Sequence, residues 1–516
     1  MSTHIRIRSA AVAATLLAVT AVAGCSSGSG GAKDGQDGPG RQDGRPAAGG
    51  DLSAQKLDWA KCEAPSVAQG GGQAPGSGWE CATMKAPLDH AEPKGDTIDV
   101  ALIRKRATDP DKRIGSLLYN FGGPGGSGVF TLPLAAKDYT KLNSRYDLVS
   151  FDPRGVGDSA TVDCVDDKAM DKLTSADEGI PDSAAEERKL LEENKKYVAG
   201  CEKNSGKLLP HLTTENTARD MDLMRQVLGD KKLHYFGISY GTELGGVYAH
   251  LFPKNVGRAV LDAVVDPTKG TVESALGQVK GFQHALDNFL KSEGKDPRQG
   301  TRDIAKLLDG LDDKPLPTAT GRGVTKNLAT TGIASALYSE ETWPYLSKAL
   351  DEAKAGKGDT LLILADVYNT RDPQGRYSNQ QEAGGAISCA DTDERFTLAD
   401  VKKHLPAYKK ESPVFGELLA WGLPSCTDWP VTGKSRTPDV SAKGAAPIVV
   451  IGNTGDPATP VAGARRMAEQ LGKGVGTTLT VNGEGHGTYG VNDCATNTVN
   501  AYLLDGKVPS DGKSCS

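Results

Sequence analysis

The pentapeptide Gly237-Ile238-Ser239-Tyr240-Gly241 constrains this 516-residue chain more than any other feature. It follows a short apolar run, 233–236, and precedes a small-residue stretch, 242–251, with helical spacing. A serine at such a strand-to-helix junction sits on a tight, strained turn. The glycine two residues away on either side lets strand and helix approach closely. The turn lifts the hydroxyl to the carboxyl edge of a sheet, and the Tyr240 N–H at the helix start is free to receive developing negative charge. The neighbouring chain alternates to match. Residues 98–104, 115–120 and 146–151 read as strands, and 258–265 as a further one. Residues 215–228 read as a helix, with Thr213 or Thr214 as cap and Gly229 as stop. This alternation predicts an α/β fold, a mostly parallel sheet with helices on both faces.

Between residues 267 and 434 the pattern turns largely helical, with segments at 272–292, 333–355 and 361–368. Strand patterning returns at 447–451 and 477–481, and 496–504 closes as a helix. The expected division is therefore a core in two parts, 56–266 and 435–516, interrupted by a helical cap over 267–434. The charged stretch 184–196 reads as a solvated helix, and no internal repeat is visible.

A serine nucleophile needs a base, and the base an orienting acid. After residue 404 one histidine remains, His486, in Gly483-Glu484-Gly485-His486-Gly487, a glycine-rich loop following a predicted strand. The strand at 447–451 runs into Gly452-Asn453-Thr454-Gly455-Asp456-Pro457, which makes Asp456 the candidate acid in the chain order serine, acid, histidine. Asp262 and Asp266, at the end of the 258–265 segment, stay open as alternatives, and Asp-Pro also suits a plain turn. A second oxyanion donor is expected from a loop after an early strand. Phe121-Gly122-Gly123-Pro124-Gly125-Gly126-Ser127-Gly128 follows 115–120 and offers a backbone N–H around Gly123. This loop lacks the Lys-Ser/Thr of a phosphate loop and the spacing of a dinucleotide site.

At the N-terminus, Arg6 and Arg8 precede an apolar run too short to span a bilayer, ending in Val22-Ala23-Gly24-Cys25. The end of this run resembles a bacterial lipobox. It implies a signal peptide over 1–24, lipidation of Cys25, and a protein anchored to the outer face of the cell membrane, or shed from it. An ordinary signal peptide is the alternative. Residues 25–55, rich in Gly, Ser, Asp and Ala, then read as a flexible tether. Setting Cys25 aside leaves eight of the nine cysteines, which suits disulfides in an oxidising compartment. Pairing of neighbours (Cys62 with Cys81, Cys164 with Cys201, Cys389 with Cys426, Cys494 with Cys515) is the simplest arrangement among ~105. With no C-x-x-C, no H-E-x-x-H and eight scattered histidines, neither a metal nor a cofactor is expected. A net charge of -6 without a basic block argues against a nucleic-acid partner.

Together these motifs resemble the α/β-hydrolase superfamily, specifically the prolyl-aminopeptidase/tripeptidyl-aminopeptidase family of secreted actinobacterial serine peptidases. The resemblance runs from about Trp59 to Cys515. Within the first part of the core it rests on the glycine loop 122–126, Phe151-Asp-Pro-Arg-Gly-Val-Gly-Asp-Ser159, the 214–229 segment and the 237–241 pentapeptide. Further along it rests on Gly455-Asp456-Pro-x-Thr-Pro460 and Gly485-His486-Gly487. Tyr338-x-x-x-x-Trp343-Pro344, Cys389-Ala-Asp391 and Cys426-x-x-Trp429-Pro430 resemble the family's cap and C-terminal segments. Phe121 stands where prolyl aminopeptidases usually carry histidine, so the likeness is to the tripeptidyl branch. The resemblance implies hydrolysis of a peptide bond near a free N-terminus, with release of short peptides. Ser239 would attack, His486 shuttle the proton, Asp456 hold the imidazolium, and the Gly123 and Tyr240 N–H groups receive the oxyanion. An exopeptidase also needs acidic side chains to read the substrate ammonium, and Asp391, Asp393, Glu340 and Glu341 of the cap are the candidates. The alternatives are a carboxylesterase or lipase using the same residues, and an inactive peptide-binding surface lipoprotein.

Overall fold

In the computed structural model, residues 51–516 are described apart from 176–179 and 182. The expected leader, Cys25 and the tether as far as residue 50 lie outside the described residues. Residues 51–55, counted with the tether above, instead belong to the folded body. The Gln55 side-chain amide donates to Lys85 O at 2.9 Å and its carbonyl accepts from Lys85 N–H at 2.8 Å, as an extra strand would.

Ten strands form one sheet: β1 (Ala60–Lys61), β2 (Trp79–Pro87), β3 (Thr97–Lys105), β4 (Gly115–Asn120), β5 (Tyr146–Phe151), β6 (Leu233–Ile238), β7 (Val256–Asp262), β8 (Ile448–Gly455), β9 (Gly476–Glu484) and β10 (Lys513–Cys515). Their spatial order is β1-β2-β3-β5-β4-β6-β7-β8-β9-β10. The first three pairings from the β1 edge are antiparallel, and the pairings from β5 to β10 are parallel. The parallel strands are apolar on both faces because helices cover both. On one face, helices Thr214–Val227, Tyr240–Leu251 and Ala462–Leu471 bury Met221, Met224, Leu244, Val247 and Met467. On the other, helices Gly128–Ala135 and Asp493–Asp505 bury Leu132, Val499 and Leu503 against Tyr119 and Phe236 of the sheet.

Between β7 and β8 the chain leaves the sheet for a run of helices with an apolar core of its own, which includes Phe289, Leu308, Ile333, Leu346 and Phe415. The single helix expected at 333–355 is two, Lys326–Leu337 and Trp343–Lys354. Ser339 caps a short turn between them through the Glu341 N–H, and Pro344 suits only the first turn of the second helix. This break points Tyr338 back toward the core. Disulfides join Cys62 to Cys81, Cys164 to Cys201, Cys389 to Cys426 and Cys494 to Cys515. Among the described residues no helix is long and apolar enough to cross a membrane.

Candidate active site

Ser239 occupies the junction between β6 and the helix Tyr240–Leu251 with φ 57° and ψ -127°, a left-handed conformation costly for a side chain other than glycine. Its surroundings enforce that geometry. A Cβ on Gly237 would meet Gly241 O at 2.3 Å, and one on Gly241 would meet Asn120 O at 2.4 Å. Ser239 O accepts from both the N–H (2.8 Å) and the hydroxyl (2.6 Å) of Thr242, and Ser239 N–H donates to Asp262 O at 3.2 Å. The turn is thus held from both strand neighbours and from its own helix.

The glycine loop after β4 presses on this turn. A side chain at Gly122 would sit 2.6 Å from Ile238 O and 2.8 Å from Ser239 Cβ. Gly122 N–H is committed to Asn120 Oδ1 at 3.0 Å, whereas the Gly123 and Tyr240 N–H groups have no acceptor among the described residues. The loop itself is anchored by buried Asp152. Its carboxylate accepts from the Ser127 hydroxyl at 2.6 Å, Val129 N–H at 3.1 Å, the Gln69 amide at 2.7 Å and Asp158 N–H at 3.2 Å. Burial raises the Asp152 carboxyl, and these bonds only partly offset the rise. Two residues on, fully buried Arg154 forms a two-pronged pair with Asp220 of helix Thr214–Val227 at 2.7 and 2.6 Å. Asp152 thus scaffolds the glycine loop, while Arg154 ties the same 151–159 motif to helix Thr214–Val227 and to Pro87 O.

His486 follows β9, and its ring is buried. Nδ1 lies 2.9 Å from each oxygen of Asp456, which fixes Nδ1 as the donor and leaves the Nε2 lone pair as acceptor. Asp456 is itself buried, and accepts from Ala458 N–H at 2.9 Å, Thr459 N–H at 2.8 Å and the Thr459 hydroxyl at 2.9 Å. Burial disfavours the imidazolium, but the charge and hydrogen bond of Asp456, with Asp262 nearby, outweigh it and hold His486 above its ordinary range. Of the alternative acids, Asp262 is spent on the histidine loop, accepting from Thr488 N–H at 2.9 Å and Tyr489 N–H at 3.0 Å. Asp266 caps its own turn through Thr268 and pairs with Lys269.

Ser239 and His486 line one cavity of about 2580 Å³ between core and cap, together with Phe121, Gly122, Gly123 and Tyr338. His486 Nε2 is buried without a hydrogen-bond partner, so the serine–histidine bond is not formed in this state; such bonds often tighten only with substrate present. The four acidic residues expected to read an ammonium are not on the cavity wall, which corrects that expectation. Asp391 instead caps helix Thr214–Val227, accepting from Thr214 N–H at 2.8 Å and the Thr214 hydroxyl at 2.7 Å, which satisfies a helix-start N–H that has no partner within the helix. Asp393 is exposed on the loop beyond it, and Glu340 and Glu341 are exposed on the turn capped by Ser339. Carboxylates that do line the cavity include Asp158 and Asp366. Thr459 and Tyr338, which touch the Asp456–His486 pair, stand in motifs that carry the resemblance, but the sequence assigns neither a role at the site. Thr459 had a signal in its place three residues after Asp456, where a hydroxyl can turn back onto the carboxylate.

Residues 412–515 match a family model described as TAP-like protein. The chain is 36% identical over 495 residues to the serine protease Hip1 of Mycobacterium tuberculosis, covering 89% of this chain and 91% of that protein. It is 32% identical over 463 residues to the tripeptidyl aminopeptidase of Streptomyces lividans, covering 85% and 83% respectively. It is also 35% identical over 458 residues to a carboxylesterase B of Mycobacterium tuberculosis, covering 84% and 86%.

Proposed function

Because the chain belongs to the α/β-hydrolase family of tripeptidyl-aminopeptidase-like serine peptidases, we propose that it is an exopeptidase releasing short peptides, chiefly tripeptides, from free N-termini. The observation that carries the chemistry is the His486 ring, bonded to Asp456 through Nδ1, with an unpartnered Nε2 in the cavity that Ser239 lines. Ser239 Oγ attacks the peptide carbonyl carbon while Nε2 takes its proton. The tetrahedral oxyanion is received by the Tyr240 and Gly123 N–H groups, each worth ~3 kcal/mol of barrier in such sites. Collapse breaks the C–N bond as His486 protonates the leaving amine, and water then releases the acyl group from Ser239 by the same steps. The tripeptidyl aminopeptidase relative and the cap over the cavity support cutting near a chain end.

Digestion of a ladder of peptides, read by mass, tests this reading. Removal of tripeptides from free but not acetylated N-termini is expected, together with phosphonate labelling that Ser239→Ala abolishes. Internal cuts, or labelling that survives Ser239→Ala, would overturn it. The similarity to a carboxylesterase favours a second reading, a small-ester hydrolase using the same residues. Faster turnover of esters than of tripeptide arylamides, with no peptide trimming, would select it.

We also propose that the enzyme is exported and held outside the cell membrane by lipid on Cys25. The 1–25 segment supports this, as do the eight described cysteines, all joined in disulfides of the kind oxidising compartments permit. Cys25→Ala is expected to move the protein from the membrane fraction to the medium, and retention in the membrane would sink the idea.

A further inference from the structure

Tyr338 belongs to the cap, yet it is packed against the core's histidine. It ends helix Lys326–Leu337, and its carbonyl accepts the His486 N–H at 2.8 Å. Its ring meets the imidazole edge-on, with centroids 5.3 Å apart and planes at 89°. Gly485 makes this approach possible, because at φ +89° a Cβ there would lie 3.0 Å from Tyr338 O. From the other side Tyr338 is wedged between Phe282 (5.6 Å) and Tyr368 (6.2 Å), both carried by cap helices.

These contacts complete the enclosure of the imidazole. Asp456 and Thr459 hold the Nδ1 edge, and Asn453 holds the loop by donating to Gly485 O at 2.8 Å. The Asp456 bond orients the ring from its Nδ1 edge, and the edge-on Tyr338 ring adds an apolar contact that this bond does not supply. We propose that Tyr338 is a positioning residue for proton transfer: its ring and carbonyl hold His486 with Nε2 toward Ser239, so that seating of the cap arms the base. This rests on His486 being the base. It adds that the cap acts on the chemical step as well as on access to the cavity.

The test uses a small fluorophosphonate, whose reaction with Ser239 needs the base but little of the peptide cavity. Tyr338→Phe, which keeps the ring, is expected to label and turn over within about twofold of the native protein. Tyr338→Leu, which fills the space without the edge-on contact, is expected to lower the labelling rate and kcat together by about 10- to 100-fold, with KM within about threefold. Native labelling by Tyr338→Leu, or a change confined to KM, would make Tyr338 only a wall of the cavity and overturn the proposal. Loss of the thermal unfolding transition alongside activity would reduce it to a structural residue, and would also overturn it. His486→Gln separates the two readings: if it labels at the native rate, the base assignment is at fault and not the role of Tyr338.

Discussion

At His486 two effects compete. Burial favours the neutral ring, while the Asp456 carboxylate, bonded at 2.9 Å, favours the charged one, and the carboxylate wins. As the base proposed above, His486 would work only when neutral, so activity should fall as pH drops through its pKa. Because that pKa is raised, the acid limb of kcat/KM is expected above the ordinary imidazole value of 6.5, and a pH–rate profile of the native protein checks it. Asp456→Asn keeps the shape but offers an amide where Nδ1–H needs an acceptor, which permits the wrong tautomer. A loss in kcat of about 10⁴ is expected, with little change in the thermal midpoint, measured by arylamide turnover beside calorimetry. These residues were legible because their chemistry is local. Ser239 is marked by its two glycines, and Asp456 and His486 each follow a strand. The ammonium candidates were not legible, because what Asp391 touches depends on a helix start 177 residues earlier.

Among the elements, the glycine loop after β4 and the turn after β6 are packed too closely for any side chain between them. Gly122→Ala would bring a Cβ to 2.6 Å from Ile238 O at φ +90°, a clash with backbone that no rotamer relieves. A stability loss of about 1–3 kcal/mol is expected, together with slower phosphonate labelling, because the loop must withdraw from Ser239. Chemical denaturation and labelling kinetics read the two effects separately. Strands with continuous apolar runs, such as β4 and β8, were plain in the sequence, since burial on both faces demands such runs. Strand β2 was missed. Its sequence, Trp-Glu-Cys-Ala-Thr-Met-Lys-Ala-Pro, lies toward the antiparallel edge of the sheet and mixes buried with exposed residues. The break at Tyr338 was missed too, because apolar spacing continues across it while Ser339 and Pro344 divide the helix.

For the molecule as a whole, three carboxyl groups are held far above their usual range away from Ser239 Oγ and the imidazole. Burial pushes Glu243 up to about 8, with the Asp391 charge adding to it. Burial likewise pushes Asp391 and Glu382 up to about 7, against the hydrogen bonds each accepts. Such a group stays protonated in the folded state while the unfolded chain has already released its proton. Its stabilising contribution is therefore complete below the unfolded value near 4 and is lost as pH rises through 7 to 8. The thermal midpoint is expected to fall between pH 5 and 8, and Glu243→Gln to flatten part of that slope; calorimetry across this range, with no flattening found, would refute the assignment to Glu243. Short-range chemistry, written in adjacent residues, determined by itself the strand–turn–helix around Ser239, the alternation that makes a parallel sheet, and the identity of the serine, acid and histidine candidates. Only the tertiary structure decided which carboxylates face the cavity, that Asp152 braces the glycine loop while Arg154 pairs with Asp220, and that a cap tyrosine closes on the histidine. Those contacts join residues 23 to 177 positions apart, and their energy comes from burial and pairing that exist only once sheet and cap have assembled.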